Sequence, residues 1–254
     1  MAGEWLHSLQ VRFAPAQVED VFLGTPLEQI AREKGFGLYV VRSAVPAAEH
    51  GRWHRALEQA VLKLTEDKGE RAVLIKGKRR WYSSVQALTT HCTCTYEYSG
   101  TGRNPVYRVN DIQVLGETTA WLHKGRDAED ATLFNQIVAN IYSRELGEYT
   151  PWHSDENSLL SEDTEIVSLS LGAPGIYCFC PNPLTKDLGA TWPKQRPAAL
   201  AASLRGCGPL MPGDVLITTG SFHKFLQHKT VAYTAIRPPV SVSRPLCTLR
   251  GPAF

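Results

Sequence analysis

The chain contains no long apolar run. Nowhere in its 254 residues does an uncharged stretch approach the roughly eighteen residues that a membrane span requires, so no membrane partner is expected. The first residues, Met1-Ala-Gly-Glu-Trp-Leu-His7, lack the basic segment and apolar core of a secretory signal. An intracellular protein, nuclear or cytoplasmic, is therefore expected. Charge of one sign is also missing. Lys and Arg total 27 against 25 Asp and Glu, a formal net charge of +2, too small by itself to announce a nucleic-acid binder. No glycine-rich phosphate loop opens a helix, and no Gly-x-Ser-x-Gly elbow is present, which leaves nucleophilic hydrolase chemistry without support. There is no internal repeat and no disordered tail. The six cysteines are expected as thiols in a reducing compartment. Two Cys-x-Cys pairs, Cys92/Cys94 and Cys178/Cys180, are spaced too tightly for the usual zinc knuckle.

What is present is the composition of an ordinary globular protein, 43% hydrophobic and 20% charged. The length suits one compact domain, expected as a monomer. Two regions read differently. Residues 1–72 carry helical signals. Thr25-Pro26-Leu27-Glu28 combines an N-cap threonine, proline at the first helical position and a capping-box glutamate. Trp53, Leu57, Ala60, Val61 and Leu64 recur at helical spacing. Between them Gly37–Arg42 reads as a strand. From residue 73 to 254 short strands dominate, separated by turn residues. The candidates are Ala72–Ile75, Cys92–Tyr98, Asp111–Val114, Ile137–Tyr142, Glu165–Leu171, Ile176–Phe179, Asp214–Thr218, Tyr233–Ile236 and Leu246–Leu249. This punctuation predicts a mainly β, α+β protein, with a β-sandwich or barrel core and N-terminal helices packed on it. The Pro-, Gly- and Ala-rich stretch Pro181–Gly208 reads as an insertion with a short helix at Pro197–Leu204.

His153-Ser-Asp155 is the first chemical signal. Residues two apart on an extended chain face the same way, so one imidazole and one carboxylate can meet one ion. A histidine from a distant strand would complete a facial triad, the arrangement that leaves three positions open on an octahedral iron. The segment Leu210-Met-Pro-Gly-Asp214 leads through an apolar strand to Phe225-Leu-Gln-His228. His228, followed by a strand-like run, is preferred over His223, which sits just after a Gly-Ser turn. A half-buried strand histidine is the plainer alternative for His228.

Arg244 and Arg250 lie six apart near the end of the chain, on one face of a strand if that segment is extended. Two inward guanidiniums need anions, and a dicarboxylate suits their hydrogen-bonding fork. Exposed edge-strand arginines are the competing reading. Asn140 and Tyr142 form a second same-face pair, fit to bind a co-substrate or simply to pack. Lys76-Gly-Lys78-Arg79-Arg80-Trp81-Tyr82 joins four cations to two aromatics. It could hold phosphates and stack a base, or be a solvated basic loop.

In their order, Asn-x-Tyr, His-x-Asp, a distal His and Arg-x5-Arg resemble the AlkB family of Fe(II)/2-oxoglutarate nucleic-acid dealkylases. The likeness is wider than the ligands. Asn140–Glu156 looks like that family's first ligand segment, and Ile166–Phe179 is close to the bacterial core strand that follows it. Leu88–His91 and Thr95–Gly100 resemble its nucleotide-recognition region. The similarity covers roughly residues 80–250.

The resemblance implies a double-stranded β-helix, or jelly-roll, core that uses Fe(II), 2-oxoglutarate and O2. It implies iron on His153, Asp155 and His228. Tyr142 and Arg244 would hold the distal carboxylate of 2-oxoglutarate, with Asn140 and Arg250 near its metal-bound end. The partner it implies is DNA or RNA, single-stranded or with a flipped base, and the reaction is oxidative demethylation that releases formaldehyde. Glu156 and Asn157 would read the base. Trp81, Tyr82, Tyr96 or Tyr98 would stack on it, and Lys78, Arg79 and Arg80 would meet phosphates. Leu246 replaces the family's usual Asn or Ser, and Leu88 stands where the bacterial enzyme has a stacking tryptophan. Two other readings stay open: the same oxygenase class acting on a protein side chain or small molecule, and an inactive nucleic-acid-binding module.

Overall fold

The structure is a computed structural model that describes residues 13–14, 17–66, 72–75, 78–81, 83–88, 106–108, 111–123, 136–142, 148–155, 165–182 and 204–232. The chain divides into two compact units, residues 1–47 with 150–254, and residues 48–149. The first unit opens with strand β1 (Val18–Asp20), helix α1 (Leu27–Lys34) and strand β2 (Phe36–Val41). The second contains helix α2 (Ala47–Glu66), which begins at the unit boundary, then β3 (Ala72–Ile75), β4 (Lys78–Trp81), β5 (Ser83–Leu88), β6 (Val106–Arg108), helix α3 (Gln113–His123) and β7 (Gln136–Ile141). Strand β8 (Tyr149–His153) re-enters the first unit. There β9 (Ile166–Leu169), β10 (Gly175–Pro181), β11 (Gly206–Leu210), β12 (Val215–Gly220), the short helix α4 (Phe222–Phe225) and β13 (Leu226–Ala232) complete it.

The first unit is mainly β. One four-stranded sheet has the order β1-β2-β12-β9 and the other β11-β10-β13-β8. β2 pairs antiparallel with β1 and β12, β12 with β9, and β10 with β11 and β13. A single hydrophobic cluster takes side chains from both sheets: Phe36, Leu38, Val40 and Leu216 from one, Tyr177, Phe179, Leu210 and Leu226 from the other. Phe22 contacts Phe36 and Phe179 edge-on, with centroids 5.8 and 5.5 Å apart, a favourable aromatic geometry. β2 reads Phe-Gly-Leu-Tyr-Val-Val without alternation because all six residues are buried.

Helix α1 starts where its capping signals lie. Thr25 Oγ1 accepts from the Leu27 N–H at 3.2 Å, and Glu28 accepts from the Gly24 N–H at 2.7 Å. Gly35 ends the helix in the left-handed region, φ 68°. That end meets Gly220, φ +57°, whose missing Cβ would run into the Gly35 carbonyl oxygen. Gly220→Ala is therefore expected to cost about 1–3 kcal/mol by overpacking, on top of its backbone strain. Gly24→Ala, at φ +72° with nothing within 4 Å, has the strain alone. Comparing the two by urea denaturation checks this, and an equal loss would contradict the clash.

In the second unit β5 lies between β6, parallel, and β7, antiparallel, while β3 and β4 form a separate antiparallel pair. Arg52 Nη1 donates to Glu117 Oε2 at 2.6 Å and the Trp53 indole to the same oxygen at 3.2 Å. These bonds join α2 to α3. No helix among the described residues is long and apolar enough to cross a membrane.

Several expectations need correction. The strand expected at Asp111–Val114 is absent, and Gln113–His123 is helical instead. Ile112, Val114, Leu115, Thr118 and Thr119 are buried together, a spacing that only the longer window shows. The basic run is not a loop along Lys78–Trp81, which pairs residue by residue with Ala72–Ile75. Cys178 and Cys207 are not free thiols. They lie directly opposite each other on β10 and β11 and are joined as a disulfide, leaving Cys180 a buried thiol. That pairing depends on strand register, which cysteine spacing does not reveal. The Pro181–Gly208 stretch is the connection between those two strands, and β10 and β11 claim its ends. Its interior, with the expected helix at Pro197–Leu204 up to residue 203, lies outside the described residues. So do the strands expected at Cys92–Tyr98, Tyr233–Ile236 and Leu246–Leu249.

Candidate metal centre

His153 is the last residue of β8, and Asp155 follows two residues on. His228 is the third residue of β13, the strand beside β8. One nitrogen or oxygen from each of the three lies within 4.8 Å of the others. His153 Nε2 stands 3.2 Å from Asp155 Oδ1, and His228 Nε2 stands 3.5 Å from Asp155 Oδ2. Ligand atoms bound at about 2.1 Å and roughly right angles around one ion sit about 3 Å apart, so the spacing fits a shared cation. Two imidazoles and one carboxylate are the donor set of non-haem Fe(II) centres.

Each ligand is held from behind. His153 Nδ1 is 2.8 Å from the Pro151 carbonyl oxygen. Only a protonated Nδ1 can make that bond, so Nε2 is the atom turned to the site. The His228 ring stacks on Tyr177 at 5.3 Å with an interplanar angle of 18°. Its Nδ1 is buried without a hydrogen-bond partner. Ser154, between the two β8-side ligands, donates from Oγ to the Leu226 carbonyl at 3.1 Å and accepts from Asn182 Nδ2 at 3.1 Å. The His-x-Asp segment is thereby tied to the start of β13 and the end of β10.

The electrostatics match a cation site. Burial disfavours charge on Asp155, but the His153 hydrogen bond and the His228 and His223 potentials outweigh it and hold the carboxyl below its ordinary range. Burial also works against the His153 imidazolium. The hydrogen bond and charge of Asp155 reverse this and raise its pKa. His228 is pushed down to about 3, mainly by burial, which leaves it neutral with a lone pair to donate.

His223, the rival ligand, comes to the same place in another capacity. It sits on α4, buried, and its Nδ1 is 3.3 Å from the Asp155 backbone N–H, while Nε2 is 3.0 Å from Thr218 Oγ1.

No protein-family model and no curated protein matches the chain.

The remaining expected site residues divide into two groups. Asn140 is exposed on β7, opposite Ser84 of β5, and Tyr142 follows the end of that strand; both belong to the second unit. Lys78, Arg79, Arg80 and Trp81 form β4 of the same unit. Tyr82, Tyr96, Tyr98, Glu156, Asn157, Arg244 and Arg250 lie outside the described residues. The sequence reading missed Ser154, Tyr177, Asn182 and the supporting place of His223. Ser154 and His223 had a signal in lying beside ligands along the chain, whereas Tyr177 and Asn182 are more than twenty residues from any of them and reach the site only through strand pairing.

Proposed function

We propose that this chain is an Fe(II)- and 2-oxoglutarate-dependent oxygenase of the AlkB-like kind that oxidises alkylated bases in DNA or RNA. The observation that carries the reading is the convergence of His153, Asp155 and His228 at 3.2–3.5 Å across two neighbouring strands. The strand path supports a double-stranded β-helix. From β8 onward the chain alternates between the two sheets: β8 in one, β9 in the other, β10 and β11 back in the first, β12 across again, β13 back. That winding brings β8 and β13 side by side, and with them the two histidines.

Bound Fe(II) would supply the activation of O2 that couples decarboxylation of 2-oxoglutarate to oxidation of the substrate. The protein's own part is positional. Pro151 fixes the His153 tautomer, Tyr177 fixes the plane of His228, and the Ser154–Asn182 bonds fix the segment between ligands. Asp155 contributes a negative charge that would keep a divalent cation in place. Arg244 with Tyr142 is the proposed anchor for the co-substrate's far carboxylate, and Arg250 and Asn140 for its near end. An N-methyl base oxidised at its methyl carbon would release formaldehyde, and in a duplex it must first be flipped out.

The test is mass spectrometry of methylated oligonucleotides incubated with the protein, Fe(II) and 2-oxoglutarate. Loss of the methyl mass together with succinate formation is expected. Succinate without any change in oligonucleotides would move the substrate to a protein side chain or small molecule. No succinate under any condition would leave only a binding module. The substrate class has its own check. Neutralising Lys78, Arg79 and Arg80 together should flatten the salt dependence of oligonucleotide binding. Each lost phosphate contact lowers the log–log slope by about 0.7 for single strands and about 0.9 for duplex. An unaltered slope would mean that this strand does not meet a phosphate backbone.

A further inference from the structure

We infer that His223 is a positioning residue for Asp155: its Nδ1 lone pair holds the Asp155 backbone N–H, and so sets the carboxylate toward His153 and His228. The inference rests on reading the triad as a metal centre and goes beyond it, since His223 was an alternative ligand and is given a different task.

The geometry makes two demands on His223 Nδ1, and they are incompatible. It lies 3.3 Å from the Asp155 N–H and 3.8 Å from Asp155 Oδ2. A protonated Nδ1 could pair with the carboxylate but could not accept from the amide. An unprotonated Nδ1 does the reverse. The amide contact is the shorter. The other end of the ring agrees, because Nε2 is 3.0 Å from the buried Thr218 hydroxyl and can give it the one proton of a neutral ring. Both nitrogens are then used, and no lone pair is left for a metal.

The placement explains how the ring is kept. Thr218 belongs to β12, in the opposite sheet from β13. His223 stands on the short helix that joins those two strands, with Phe222 against it at 5.0 Å and the His228 ring edge-on at 5.3 Å. A side chain pinned to one sheet thus steers a ligand whose neighbour, Ser154, is pinned to the other by the Leu226 carbonyl. Asp155 is oriented from two sides before any ion arrives. Loss of such a supporting bond to a metal ligand typically weakens metal binding about 10–100-fold.

Two substitutions separate the halves of the ring. Asn places its carbonyl oxygen near the Nδ1 position, while Gln places its amide nearer Nε2. Co(II) titration of the full-length protein, followed by its visible absorption, reads both affinity and ligand geometry. His223→Ala and His223→Gln are expected to weaken Co(II) binding about 10–100-fold, and His223→Asn to stay close to wild type with the same spectrum. Thermal melts accompany each variant, because a purely structural histidine would lower stability without distinguishing Asn from Gln. Equal weakening in all three would overturn the acceptor assignment. Wild-type binding by His223→Ala, with His153→Ala failing to bind, would overturn the positioning role and leave the metal centre standing. Complete loss of Co(II) absorption in His223→Ala and His223→Asn, matching the loss in His153→Ala, would make His223 a ligand instead. Wild-type binding by His153→Ala, Asp155→Ala and His228→Ala would remove the metal centre, and the inference with it.

Discussion

On the proposed reading, replacing His153 or Asp155 with alanine is expected to abolish Fe(II) binding and succinate formation while leaving both sheets folded. Neither side chain belongs to the hydrophobic cluster that joins the sheets. Each is partly open to solvent, at 20% and 23%, so truncation leaves room for water rather than a sealed cavity. The two losses differ in what they do to the metal-free protein. In wild type Asp155 raises the His153 pKa against the opposing effect of burial. Asp155→Asn removes the raising charge and leaves the burial. His153 should then titrate lower than in wild type, held up only by its backbone bonds, the Pro151 carbonyl among them. An NMR titration of the imidazole protons reads this directly. A His153 pKa equal to the wild-type value in Asp155→Asn would mean that Asp155 does not set it, and near-normal succinate formation by either alanine variant would remove the triad.

Asp214→Ala is expected to cost about 3 kcal/mol of stability, near the low end for breaking a buried ion pair. Asp214 is 1% exposed and accepts from Arg42 Nη1 at 2.7 Å, the Ser43 N–H at 2.9 Å and the Met211 N–H at 2.9 Å. Truncation leaves two backbone donors without that acceptor and the guanidinium short of an anion. Two features moderate the loss: Arg42 keeps Glu19 at 3.0 Å and the Pro209 carbonyl at 2.8 Å. Ser43 is held at φ 48°, a left-handed conformation that an L-residue adopts at a cost, and the Asp214 bond offsets it. Asp214→Asn keeps an amide oxygen for one of the donors and should lose less. Urea midpoints measure all of this. A loss below about 1 kcal/mol in Asp214→Ala would show that Arg42 repairs the site with its remaining partners.

Much of the candidate site was legible because it depends on a period of two. His153 and Asp155 face one way on an extended segment, and the sequence states that plainly. The choice of His228 over His223 was less secure. It turns on four residues, Phe222–Phe225, that form a helical turn between β12 and β13 and carry His223 back toward the Asp155 amide. No hydropathy pattern announces so short an element. The strands of the first unit were found where apolar runs are long, at β2, β10 and β12. They were missed where the residues are mixed, as in β8 (Tyr-Thr-Pro-Trp-His) and β11 (Gly-Cys-Gly-Pro-Leu). Both gain strand character from their neighbours rather than from propensity. Helix α3 failed for the opposite reason, because four residues of alternation at its start outweighed the helical spacing behind them.

The bonds that build the site join distant parts of the chain. Ser154 and Leu226 are 72 residues apart, and Asp155 and His223 are 68 apart. Neither of these contacts can form during local zippering, so the folding rate should be governed by slow, long-range strand pairing. An ion that recognises only the finished arrangement then acts on the folding equilibrium by mass action. At a hundredfold excess over its dissociation constant it would deepen the native well by about 2.7 kcal/mol. Protein without a bound cation should accordingly populate protease-sensitive unfolded chains more than the loaded protein, even if its contacts are otherwise unchanged.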